Sequence, residues 1–157
     1  MTVTERRQKA TDNFMKGYNC AQSVVLAFSD LTELDESTLL KLASSFGGGM
    51  GRLREVCGAV TGMFIIVGLL YGYDGAETGE VKAELYARIQ KLGGEFEKKR
   101  GTLICRELLG LDKQGIKHDS SVPEARTTEY YGKRPCPEIV GDAAAILAEY
   151  LAERNVQ

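Results

Sequence analysis

Apolar residues in this chain recur at mostly helical spacing, and strand-like alternation over more than four residues is hard to find. The pattern predicts an all-α fold: a single-domain helical bundle of about six to seven helices around a buried central helix. A first helix over about Thr4 to Met15 stops at Gly17, and Tyr18-Asn19 lead into a second from Cys20 to Phe28. Asp35-Glu36-Ser37 opens a third through Ser44, after which Gly47, Gly48, Gly49 and Gly51 break the chain. The apolar run from Glu55 to Tyr71 is the expected central helix, closed by Gly72 and Gly75. An amphipathic helix follows over Ala76 to Arg100, with Gly93-Gly94 as a place to split or bend. Thr102 caps a short helix through Leu109, ended by Gly110. Asp112 to Arg134, with Pro123 and little periodicity, reads as a long loop. The last helix opens at Pro135-Cys136-Pro137-Glu138, with proline in the permitted first turn, and runs to Glu153.

The chain has 157 residues and 43% hydrophobic content, enough to bury the core of one ordinary domain. No repeat or low-complexity linker suggests a second, so residues 1–157 are read as one unit. With 20 Lys plus Arg against 22 Asp plus Glu the net charge is -2, which argues against nucleic acid or an anionic membrane as partner. No apolar segment follows Arg6-Arg7 as an export signal would require, so a cytoplasmic location is expected. The uncharged stretch from Val56 to Tyr73 contains Cys57, Thr61 and glycines at 58, 62, 68 and 72. It suits a buried helix better than membrane insertion.

The four cysteines, Cys20, Cys57, Cys105 and Cys136, carry the candidate chemistry, each at the predicted start of a helix. Helix N-termini expose unpaired N–H groups and partial positive charge, which favour thiolate. Thiolate is both the metal ligand and the nucleophile of disulfide exchange, so two readings stand side by side. In the first, dithiol and disulfide interconvert against a redox partner protein. Cys57 is then the expected nucleophile, because Arg52 and Arg54 add to its helix start, and one of Cys20, Cys105 or Cys136 resolves it. In the second, all four thiolates hold an iron–sulfur cluster or zinc, although the spacings match no compact ligand motif. A third reading makes Gly47, Gly48, Gly49, Gly51, Arg52, Gly58 and Gly62 the wall of a cofactor or small-molecule pocket. Gly58 and Gly62, four apart, leave a flat helix face suited equally to plain packing. His118, between Lys117 and Asp119, is expected to be a solvated loop residue. A homodimer is compatible with the chain, but no interface stands out.

Cys57-Gly58-Ala59-Val60-Thr61-Gly62, preceded by Phe46-Gly47-Gly48-Gly49-Met50-Gly51-Arg52, resembles the CGAxxG element of the C_GCAxxG_C_C family. Cys20 in Tyr-Asn-Cys-Ala-Gln-Ser, Cys105 in Cys-Arg-Glu-Leu-Leu-Gly and Cys136 in Pro-Cys-Pro match its first, third and fourth cysteines, over nearly the whole chain. The resemblance implies a redox-active protein of oxidoreductase type working through these cysteines. It brings no substrate with it.

Overall fold

The computed structural model describes residues 1–76 and 79–156. Among these lie eight α-helices: α1 (Val3–Met15), α2 (Cys20–Ala27), α3 (Glu36–Ala43), α4 (Gly58–Tyr71), α5 (Glu80–Arg100), α6 (Cys105–Leu108), α7 (Thr128–Lys133) and α8 (Cys136–Ala152). The all-α expectation holds; the described residues contain no strand, only an isolated antiparallel bridge between Val56 and Ile104. None of their helices is long and apolar enough to cross a membrane.

The caps follow from local chemistry. Thr2 and Glu5 form a capping box on α1, Asn19 and Gln22 another on α2, and Asp35 accepts from the Thr38 N–H at the start of α3. Each satisfies backbone donors that the first helical turn leaves without partners.

One core joins the helices, with Phe14, Val24, Phe28, Met63, Ile66, Phe96, Val140, Leu147 and Leu151 among its buried side chains. The last helix is the most enclosed: from Ile139 to Ala148 every residue of α8 is buried, and it packs along α1. In α4 the turns from Gly58 to Met63 are buried, whereas Leu69 near its C-terminus is exposed. Asp142, inside α8, is satisfied by Arg7, Lys99 and Arg100. Buried Arg6 reaches Asp30 and the Ala27 carbonyl. A buried charge needs such partners to be tolerated.

The boundaries differ from expectation in four places. The central helix starts at Gly58 rather than Glu55, because Cys57 N–H donates to Leu103 O (2.8 Å) and Cys105 N–H to Glu55 O (2.6 Å), holding 55–57 extended. The helix predicted from Ala76 has its N-cap at Gly79, and the intervening Glu77 and Thr78 lie outside the described residues. It then passes Gly93-Gly94 without a break. The predicted loop of 112–134 contains a 3-10 turn at Asp112–Gln114 and α7, which is capped by the Thr127 hydroxyl.

Gly62 is where α4 and α2 approach closely. A Cβ there would stand 2.9 Å from the Val24 Cβ and 3.0 Å from Ala21 O, whereas one at exposed Gly68 would meet nothing within 4 Å. Gly62→Ala should therefore destabilise by about 1–3 kcal/mol through overpacking. Gly68→Ala should stabilise by about 0.5–1 kcal/mol through helix propensity. Urea unfolding of the two variants checks this, and equal midpoints would disprove the close approach.

Candidate functional site: four thiols around one cavity

All four cysteines stand at helix starts as the sequence predicts: Cys20 opens α2, Cys57 is the N-cap of α4, Cys105 opens α6 and Cys136 opens α8. The fold turns these starts inward, so that all four line one cavity of about 280 Å³. Gly47, Gly48, Gly49, Gly51, Arg52 and Gly58 line it too, as the pocket reading expected. Gly62 does not; it lies one turn further along α4, under α2.

The glycine segment builds one wall by an uncommon backbone path. Gly48, Gly49, Met50, Gly51 and Arg52 all have φ between 61° and 68°, and Arg54 follows at 58°. Left-handed backbone costs non-glycine residues roughly 1–2 kcal/mol each, so Met50, Arg52 and Arg54 must be held there by their surroundings. The restraints are visible. Glu55 N–H donates to Gly49 O (2.9 Å), Asp119 N–H to Arg52 O (3.0 Å) and Arg106 N–H to Arg54 O (3.2 Å). Arg52 Nε donates to Ser120 O at 2.6 Å. At Gly49 any side chain is excluded, since a Cβ would stand 2.5 Å from that of Cys105.

The thiols fall into two pairs with different electrostatics. Cys20 and Cys136 are neighbours in the cavity. The Cys136 sulfur, together with burial and the other thiols, raises the Cys20 pKa well above the ordinary value. The Cys20 thiol in turn lowers that of Cys136, reinforced by the charges of Arg134, Arg54 and Arg126 against the cost of burial. Cys136 is the one cysteine of the four whose pKa is lowered. Cys57 and Cys105 flank the Val56–Ile104 bridge on one side of it, diagonal to each other. Burial pushes the Cys57 thiol up to about 12, against the N–H groups of Ala59 and Val60 that pull it down. Cys105 is raised by burial too, although Arg54 Nη1 donates to its sulfur at 3.6 Å.

These pairings correct the expectation that Arg52 and Arg54 activate Cys57. Arg54 is turned to Cys105 and Asp119, donating to Asp119 Oδ2 from Nε (2.9 Å) and Nη2 (2.7 Å), and Arg52 lies 3.5 Å from the same carboxylate. No arginine is left to offset the burial of Cys57. The helix start does supply N–H groups to its sulfur, but in a dry site desolvation outweighs them. Asp119 in turn is held below the usual carboxylate range by Arg54 and Arg52.

All four cysteines are free thiols. Among the described residues no group of three or more His, Cys, Asp or Glu side chains is arranged to hold a metal ion. The four members of the thiolate ligand set expected from the sequence nevertheless line one cavity. His118 is exposed and lies outside the cavity lining, as expected of a loop residue.

Sequence reasoning passed over Asp119, Arg126, Tyr130 and Arg134, all within the segment read as loop. Arg126, Tyr130 and Arg134 line the cavity. Thr127-Thr128-Glu129, a capping residue followed by an acidic first turn, is the signal that marks α7 and the chemistry around it.

Residues 18–150 match the family described as "Putative redox-active protein (C_GCAxxG_C_C)". The chain belongs to this family. All four cysteines fall within the matched span. Comparison with the curated proteins and with the solved structures finds no match.

Two outcomes follow from the pairings. Iodoacetamide should modify Cys136 first, with a rate that persists to lower pH than for an ordinary thiol, because thiolate is lost only as pH falls through a depressed pKa. Mass-resolved labelling checks the order, and first modification at Cys57 would refute it. Cys57 acts with the opposite sign. The folded state keeps its raised pKa of about 12, so stability is lost as pH rises from the unfolded thiol's value of about 8.5 toward that limit. Cys57→Ala should flatten the alkaline decline in Tm relative to its own neutral value.

Proposed function

We propose that this protein is a two-electron thiol redox protein in which Cys136 is the attacking thiolate and Cys20 the resolving thiol. The observation that carries the reading is the meeting of the α2 and α8 starts at one cavity, with Arg126 and Arg134 in the same lining, where the pKa of Cys136 is lowered and that of its neighbour Cys20 raised.

The electron donor is the Cys20–Cys136 dithiol and the acceptor is a disulfide, R–S–S–R′. Cys136 thiolate attacks one sulfur of that disulfide; its S–S bond breaks, R′S⁻ leaves and takes a proton from solvent, and a Cys136–S–S–R mixed disulfide forms. Cys136 then carries no charge, so its electrostatic part in raising the Cys20 pKa falls away. Cys20 loses its proton to solvent and attacks the Cys136 sulfur. RS⁻ departs and is protonated, leaving a Cys20–Cys136 disulfide and two thiols from the acceptor. The same pair of groups is thereby poised in sequence: the resolving thiol stays protonated until the first bond has formed.

Cys57 and Cys105 line the same cavity with raised pKa values, so they are slower nucleophiles.

Oxidation with a small-molecule disulfide followed by peptide mapping tests the assignment. The first intramolecular product should be the Cys20–Cys136 disulfide, and Cys20→Ser should stall with the small molecule attached to Cys136. Cys136→Ser should slow the first step by at least about tenfold, given the thiolate dependence of exchange. A first disulfide between Cys57 and Cys105, or an unslowed Cys136→Ser variant, would overturn the reading.

A further inference from the structure

The chain carries a net charge of -2, yet its cavity has the opposite sign. Four arginines line it, Arg52, Arg54, Arg126 and Arg134, against one lining carboxylate, Glu124. Arg52 and Arg54 are committed to Asp119 behind the wall. Arg134 is paired with Glu124.

Arg126 has no carboxylate partner among the described residues. Its guanidinium lies 4.2 Å from the Phe14 ring centroid and 5.0 Å from that of Tyr130. It donates to the carbonyls of Phe14 (3.2 Å) and Tyr18 (3.3 Å), which fix its plane while leaving three of its five N–H groups for other acceptors. Arg134 stands over the same Tyr130 ring at 5.6 Å. One aromatic ring is thus shared by two guanidinium groups that have one carboxylate between them, in a cavity wall where uncompensated charge is costly. The Cys136 thiolate neutralises part of this charge, and an excess remains.

We propose that the Arg126 and Arg134 side of the cavity is an anion subsite, and that the molecule reacting at Cys136 is a small one bearing a carboxylate, phosphate or sulfur oxyanion. Guanidinium forks match the paired oxygens of such groups, and a cavity of about 280 Å³ admits a metabolite-sized molecule but no folded protein surface. This rests on the role proposed for Cys136 and adds the class of its substrate.

Two alkylating probes that differ in charge separate the two ideas. Neutral iodoacetamide reads the thiolate, and anionic iodoacetate reads the subsite. The ratio of iodoacetate to iodoacetamide rates at Cys136 should exceed that of 2-mercaptoethanol by about tenfold, the scale of local enrichment that charged clefts achieve. Inorganic phosphate should slow iodoacetate at fixed ionic strength. Arg126→Gln should bring the ratio down severalfold and Arg126→Lys should retain most of it, with Arg134→Gln as the second variant should the first fail to fold. A ratio equal to that of the free thiol, or one that neither Arg126→Gln nor Arg134→Gln lowers, would overturn the subsite while leaving the thiolate assignment intact. A slow iodoacetamide reaction at Cys136 would instead defeat the thiolate assignment and this proposal with it.

Discussion

Arg54 is the buried charge on which the site is built. Its guanidinium holds Asp119 and touches the Cys105 sulfur, while its carbonyl accepts from both the backbone N–H and the Nη1 of Arg106. One residue in left-handed conformation thus fastens the glycine turn, the segment that opens α6 and the loop carrying Asp119. Without these anchors there is little to hold Met50, Arg52 and Arg54 at positive φ, because each would relax to a conformation cheaper for a residue with a Cβ. The strain in the cavity wall is sustained by the ion pair and the hydrogen bonds around it. The same anchors keep Gly49 against Cys105, where only glycine fits.

Why a protein should gather four helix starts around one cavity follows from the chemistry of sulfur. A thiolate needs positive potential, and a buried one needs it from fixed groups, since water is scarce. Helix N-termini supply it without mobile side chains, but each start is only a partial charge. The structure shows that this alone does not decide a thiol's state. Cys57 and Cys136 both stand at the start of a long helix, yet one is raised and the other lowered. What separates them is the company of Cys20, Arg134, Arg54 and Arg126 around Cys136, against burial without a cation at Cys57. Full charges outweigh the shared helix dipole.

Much of this was legible in the chain. Helical periodicity, the capping residues and the placement of each cysteine at a helix start could all be read locally, because they depend on neighbours within a few residues. Which thiols pair could not, since Cys20 and Cys136 meet only when α1, α2 and α8 pack together. The direction taken by Arg54 was hidden for a related reason. It precedes Cys57 by three residues, but the bridge between Val56 and Ile104 brings Cys105 to it from the far side. The segment from 112 to 134 was the largest omission. Its polar residues have no periodicity to betray a role, and Asp119, Arg126 and Arg134 acquire one only through contacts with distant parts of the chain.

The two thiol pairs differ in how far each is tied to the rest of the fold, and this bears on their division of labour. Cys57 and Cys105 are attached to two segments joined by backbone hydrogen bonds at 2.8 and 2.6 Å, so their relative position is set by main chain. Cys20 and Cys136 sit at the first residues of two separate helices whose contact is made by side chains. A helix start held by packing can shift more easily than a bridged segment can. On the proposed reading reactivity and compliance fall on the same pair, which is the arrangement a dithiol needs if it is to form and break a covalent bond without disturbing the wall that shapes its cavity.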